Sequence, residues 1–197
     1  MSSLFDQRPI LLVLAGPNGA GKSTFYKAHL EASGLPFINA DVLAKELHLG
    51  AYQAAETAKL ARENLVAERK SFVFETVFSD PAGEKLAFLK KAEDSGYTVV
   101  LFFVGIEDAE CSEARVAMRV LQGGHDVPTE KLRSRYERSM NNLRSALKQL
   151  RHVRVYDNSD LADAYRLVVE LSEGKIALHA PLPEWLLPLL PKTFPVP

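Results

Sequence analysis

The chain has 197 residues, a formal net charge of -1 and 47% hydrophobic residues. That is enough for one α/β domain with a sizeable core, and the charge balance gives no global attraction to nucleic acid or to an anionic membrane surface. The one cysteine, Cys111, excludes an internal disulfide and fits a reducing compartment; the apolar run near the N-terminus is too short to span a membrane and lacks a basic flank, so no signal peptide and a cytoplasmic location are expected.

In chain order, Ile10 to Ala15 is a continuous apolar run, as expected for a strand buried on both faces of a parallel sheet. Gly16-Pro17-Asn18-Gly19-Ala20-Gly21-Lys22-Ser23 follows and fits G-x-x-x-x-G-K-[ST]. The glycines let the backbone curl so that successive N–H groups point at an anion. In this pattern Lys22 reaches the β- and γ-phosphates of ATP and the Ser23 hydroxyl ligates Mg2+. Thr24 opens a helix running to Glu31, whose N-terminal end adds partial positive charge.

Leu35 to Asp41 reads as a second strand ending in a carboxylate, and residues 42–70 as helices interrupted near Gly50. Ser71 to Thr76 is a third strand, ending in Glu75-Thr76; Ala82 to Glu93 is helical; Tyr97 to Val104 is a fourth, strongly apolar strand. Residues 107–121 read as helix, broken by Gly123-Gly124-His125-Asp126-Val127-Pro128. Thr129 to Leu150 is a long polar helix, His152 to Tyr156 a fifth strand, Leu161 to Leu171 a further helix, and Gly174 to Leu178 an edge strand. The alternation of strand and helix predicts βαβ units and a parallel five-stranded sheet flanked by helices, in a single domain over residues 1–178. Six of the eleven prolines fall between Pro181 and Pro197, so the tail over 179–197 is not a continuous helix and is expected to pack on the domain through Trp185, Leu186 and Leu187.

In such sheets the ligand lies at the carboxyl ends of the strands, where the phosphate loop, Asp41 and Glu75 converge. The transporter-ATPase signature LSGGQ and the guanine-specifying N-K-x-D segment are both absent from the sequence. A small-molecule kinase asks for less: the loop, Mg2+, a carboxylate near the acceptor hydroxyl and arginines for the transferring charge. Asp41 is the candidate base, against the alternative of a helix N-cap. Glu75, with Thr76 beside it, is a candidate substrate contact or a water-mediated Mg2+ contact, against the alternative of an ion pair at the sheet end. Arg115, Arg119, Arg133, Arg135 and Arg138 flank the Gly-rich break and suggest a helical lid over about residues 107–150. Arg119 and Arg135 are the candidates for catalysis and Arg133 for substrate contact, with solvated intrahelical pairing as the alternative; His125, in the loop, is a candidate substrate contact against the alternatives of a turn contact or mere exposure.

GPNGAGKST, INAD, FET, an arginine before GGHDVP, R-x-R-Y-x-R-S and YDNS, in this order, resemble the zeta-toxin-like kinases over Ile10 to Ser159, in a compact form like the shorter bacterial branch. The resemblance implies an ATP- and Mg2+-dependent P-loop kinase of nucleoside-kinase type. Its well-known members are toxins, held by an antitoxin, that phosphorylate the 3′-hydroxyl of the amino sugar of uridine diphosphate-N-acetylglucosamine. It assigns Lys22 and Ser23 to the loop, Asp41 to the base, Glu75 to substrate, and Arg119 with an arginine of the Arg133–Arg135 stretch to the lid. The toxins carry Thr and Arg soon after the strand-three Glu. Here those places hold Val77 and Ser79, so two polar contacts to the sugar nucleotide have no counterpart. An ATP-binding regulatory or interaction protein remains an alternative, carried by the tail. A polynucleotide kinase is a weaker one, because basic and aromatic residues are not interleaved.

Overall fold

Short apolar runs bounded by Gly and polar residues cannot bury themselves singly, and here they pair side by side. The computed structural model describes residues 4–121 and 128–191. Its strands are β1 (Ile10–Ala15), β2 (Phe37–Ile38), β3 (Phe72–Thr76), β4 (Thr98–Gly105), β5 (His152–Asp157), β6 (Arg166–Ser172) and β7 (Lys175–Leu178). The helices are α1 (Lys22–Phe25), α2 (Ala40–Glu46), α3 (Ala51–Ala67), α4 (Glu84–Asp94), α5 (Ala109–Leu121) and α6 (Thr129–Gln149). α1 continues through a wider turn over Tyr26–Leu30 and a tighter one over Glu31–Ser33.

The sheet order is β2-β3-β1-β4-β5-β6-β7. β1 to β5 are parallel, with β1 central between β3 and β4. Alternate residues of β1 face two separate cores. Leu11, Val13 and Ala15 meet α4, α6 and the C-terminal segment, whereas Ile10, Leu12 and Leu14 meet Phe25 and Leu30 of the first helical segment. A strand buried on both faces has no polar alternation, which is why β1 reads as unbroken apolar sequence.

Beyond the five parallel strands, the sheet differs from expectation. Residues 161–171 are not a helix: β6 runs antiparallel to β5, and β7 antiparallel to β6. The run Leu167-Val168-Val169 suits either period. Two tertiary facts decide it. β5 would otherwise be an open edge, and Glu173 and Gly174, at φ 47° and 74°, make the tight two-residue reversal that fixes a hairpin between Ser172 and Lys175. β2 is also shorter than expected. It ends at Ile38, and Asn39 caps α2, leaving Asp41 inside the first turn of that helix rather than at a strand end or as its cap.

The end of β5 is pinned by one carboxylate. Asp157 accepts from Ser159 Oγ at 2.6 Å, Arg166 at 2.9 Å and Trp185 Nε1 at 3.0 Å. Burial alone would raise its pKa, but these donors outweigh it and hold the carboxyl below the ordinary range. The Trp185 ring lies on Gly105, where an added Cβ would fall 2.1 Å from it. Leu186 and Leu189 are buried beyond Trp185, and Arg144 of α6 donates to Pro188 O. Asp157→Ala leaves the indole N–H without its partner and Arg166 with only the more distant Asp163, 3.9 Å away, and should lower unfolding stability by about 3 kcal/mol in urea titrations at neutral pH. Because the folded pKa is depressed, the wild-type advantage is present above the carboxylate range and is lost as pH falls through the folded value. The two proteins should therefore converge in acid.

Candidate active site

A loop that wraps an anion needs backbone conformations that side chains resist. Gly16, Gly19 and Gly21 have φ of 144°, 73° and 89°, and a Cβ at Gly16 would sit 2.1 Å from Val104 O of β4. Side chains from elsewhere in the fold hold the curl from outside. Ser112 Oγ of α5 donates to Asn18 O at 2.7 Å. Asn158 Nδ2 donates to Ala20 O at 2.9 Å, and its Oδ1 accepts from Tyr165 N. Tyr165 OH donates to Gly21 O at 2.9 Å. These contacts occupy carbonyls, so the loop's amides remain for a phosphate.

Lys22 is buried, and its ammonium donates to Pro17 O at 2.9 Å with Glu75 4.0 Å away. Burial pushes its pKa below the ordinary value and Arg119 acts the same way, while Glu75 and Asp41 pull it back up. An ammonium so incompletely compensated gains from an arriving phosphate. Ser23 and Thr24 are exposed on the first turn of α1, and Ser23 Oγ lies 3.5 Å from Glu75 Oε2. Two hard oxygens at the loop's mouth fit Mg2+, which takes few protein ligands and completes its shell with phosphate and water. Among the described residues no cluster of three or more His, Cys, Asp or Glu side chains could hold a metal by itself.

Asn39 ties the start of α2 to this centre. Its Nδ2 donates to Glu75 Oε2 at 3.0 Å, and its Oδ1 accepts from the amides of Asp41 and Val42 at 2.8 and 3.2 Å. One side chain therefore caps α2 and bonds the β3 carboxylate. The Asp41 carboxylate is exposed, and its charge is felt at Lys22.

The arginines divide. Arg119 is exposed on α5, and its charge acts on Lys22. Arg115, grouped from sequence with the lid arginines but given no role of its own, lies against Gly19 and donates to Ser159 O at 2.9 Å. Arg133 is taken up between helices. It pairs with Glu110 and Glu113 at 2.8 Å each, fastening α6 to α5 across an exposed surface. Arg135 is half-buried on α6 and makes no ion pair among the described residues. Arg138 donates to Ser79 O. Thr76 is buried, and its hydroxyl accepts from Phe78 N at 2.9 Å, so it serves the loop that follows β3. His125 and the break around it lie outside the described residues. Phe78, fully buried, has φ 57°, a conformation that costs about 1–3 kcal/mol for a bulky residue. Burying its ring contributes about 2 kcal/mol, and each bond made to its loop by α6 about 1 kcal/mol, so the strained form is the stable one.

A model of the zeta toxin family matches residues 2–169. The chain belongs to that family. A guanylate kinase of Clostridium perfringens is 24% identical over 187 residues, covering 83% of this chain and 82% of its own. An AvrRxo1-ORF1:-ORF2 structure with ATP superposes with a TM-score of 0.67 at 16% identity, over 87% of this chain and 60% of the AvrRxo1 chain. A structure from the PezAT chromosomal toxin–antitoxin system of Streptococcus pneumoniae gives 0.63 at 16% identity, over 86% of this chain and 74% of that one. The chain spans about three fifths of the AvrRxo1 chain it resembles, and at these identities the likeness speaks to the fold alone. No described helix is long and apolar enough to cross a membrane.

Asn39, Ser112, Asn158 and Tyr165 carry the site without having been assigned a role from sequence. Asn39 and Asn158 stand within the motifs INAD and YDNS. Tyr165 fell in a segment read as helix. Asn158→Ala removes the bond to Ala20 O and should raise the Kd for ATP about tenfold, the value of one net hydrogen bond. A fluorescent-nucleotide titration measures it, with urea unfolding as the control for global stability.

Proposed function

We propose that the protein is an ATP- and Mg2+-dependent kinase that moves the γ-phosphate to a hydroxyl of a small molecule, with Asp41 as general base. The observation that carries this reading is a convergence. A supported phosphate loop with a buried Lys22, the Ser23–Glu75 oxygen pair, and an exposed Asp41 on a helix capped by Glu75's own partner Asn39 share one end of the sheet. In the transfer, Asp41 accepts the acceptor's hydroxyl proton, the acceptor oxygen bonds the γ-phosphorus, the bond from that phosphorus to the bridging oxygen breaks, and ADP leaves. Lys22 and Arg119 take up the developing charge, and Arg135 is the further candidate for that role. Ser23 and Glu75 are the residues that would hold Mg2+, which when bound would neutralise phosphate charge.

Family membership supports a sugar nucleotide such as uridine diphosphate-N-acetylglucosamine as the first acceptor to test, although Val77 and Ser79 stand where the toxins have polar contacts. One of the similar structures comes from a toxin–antitoxin system and another holds AvrRxo1-ORF1 together with -ORF2, which supports an antitoxin partner for this chain. Such a partner is expected to block the nucleotide site, and a complex that binds ATP at undiminished affinity would overturn that part of the reading.

The deciding experiment supplies γ-labelled ATP and Mg2+ with a panel of sugar nucleotides, nucleosides and simple sugars. Label should move to one acceptor class and vanish with Lys22→Ala. Label released only as free phosphate with every acceptor would favour an ATP-binding regulatory role instead. Asp41→Asn should reduce transfer by about 100- to 10,000-fold, the range of a lost general base, while nucleotide affinity stays nearly constant. Retained turnover in that variant would remove Asp41 from the mechanism.

A further inference from the structure

The four residues after Thr76 leave β3 as an irregular loop, and one helix from more than fifty residues later captures every carbonyl in it. Ser139 Oγ donates to Val77 O at 2.8 Å. Asn142 Nδ2 donates to Phe78 O at 2.9 Å and to Asp80 O at 3.0 Å. Arg138 Nε donates to Ser79 O at 2.8 Å. Surface loops usually give such carbonyls to water. Here the donors come from adjoining positions on one face of α6, a helix anchored by buried Leu132, Met140, Leu143, Ala146 and Leu147.

The loop is also strained. Phe78 holds φ 57° with its ring fully buried, and Thr76 Oγ1 accepts its amide. A bulky residue stays in that region only where its surroundings over-determine it, and such positions concentrate at functional sites. This loop starts one residue after Thr76, hence two after Glu75. Glu75 bonds Asn39 at the start of α2 and lies within 4.0 Å of Lys22. β2 and β3 are parallel neighbours, so the loop after β3 and the first turn of α2, with Asp41, leave the same end of the sheet side by side.

We propose that Arg138, Ser139 and Asn142 are positioning residues for the acceptor: by holding the carbonyls of residues 77–80 they set the shape of the acceptor wall, while nucleotide binding depends on the separate supports Ser112, Asn158 and Tyr165. The proposal rests on the kinase reading above. It assigns the two substrates of one site to two independent sets of supports.

Ser139→Ala and Asn142→Leu test it, with Arg138→Met paired to Arg138→Lys for rescue. Amide hydrogen exchange of Phe78, whose N–H is bonded to Thr76 Oγ1 inside this loop, should quicken about tenfold per carbonyl bond lost, with β1 and β4 protection unchanged. With whichever acceptor takes label in the panel, KM for that acceptor should rise about tenfold while KM for ATP stays constant, and Arg138→Lys should recover part of the loss that Arg138→Met causes. Unchanged exchange at Phe78 overturns the proposal. So does a parallel rise in both KM values, which a general loosening would produce. Ser139→Ala, the mildest change, keeps the test valid if Asn142→Leu folds poorly. A wild-type protein that labels no acceptor would refute the kinase reading instead, and the exchange rates and the ATP affinity of the variants would then decide by themselves whether α6 holds this loop independently of the nucleotide.

Discussion

A polyanion is held by donors that already point at it, and here those donors are backbone amides. Everything around residues 16–23 follows from keeping them aimed. Three glycines at positive φ permit the curl, and Val104 O presses so close to Gly16 that no side chain fits there. The carbonyls on the outside of the curl go to Ser112, Asn158 and Tyr165, which come from α5, the end of β5 and the turn before β6. Such a nest is rigid because three distant parts of the chain share in closing it.

The same economy explains the antiparallel addition to the sheet. Tyr165 reaches Gly21 only because the chain reverses after Asn158 and returns beside β5. The reversal also brings Arg166 to Asp157, and Asp157 in turn fixes Trp185 over Gly105. A helix in that segment would have carried Tyr165 and Arg166 on a different path. The C-terminal segment therefore closes the side of the sheet that ends at the nucleotide loop, as well as covering apolar surface.

Buried charge at the centre is balanced without being fully satisfied. Lys22 has one carbonyl and a carboxylate at 4.0 Å, and its desolvation leaves an ammonium that an incoming phosphate compensates. Glu75 is shared between Asn39, Ser23 and Lys22, which links helix α2 to the phosphate loop through two side chains. Arg133, by contrast, is an exposed ion pair between helices, worth little individually and serving to register α6 against α5.

What the sequence by itself determined is local. The phosphate loop, the parallel strands β1 to β5, the helices on either side of Gly50 and the carboxylates Asp41 and Glu75 all rest on contiguous patterns: an apolar run, a glycine spacing, a helical period. Those patterns carry their own backbone preferences and can be read without partners. Tertiary structure decided whatever depends on who lies opposite. Leu167 to Val169 became a strand because β5 offered an open edge and Glu173-Gly174 could reverse the chain. Asn39 took the cap that Asp41 was positioned to take, because its other end could reach Glu75. Arg138 went to a loop carbonyl and Arg133 to two glutamates, a division that an arginine-rich helix does not announce, since both are the same side chain five positions apart. Hydrogen bonds between residues tens of positions apart leave no periodic mark on the chain, and it is those bonds that hold this site in shape.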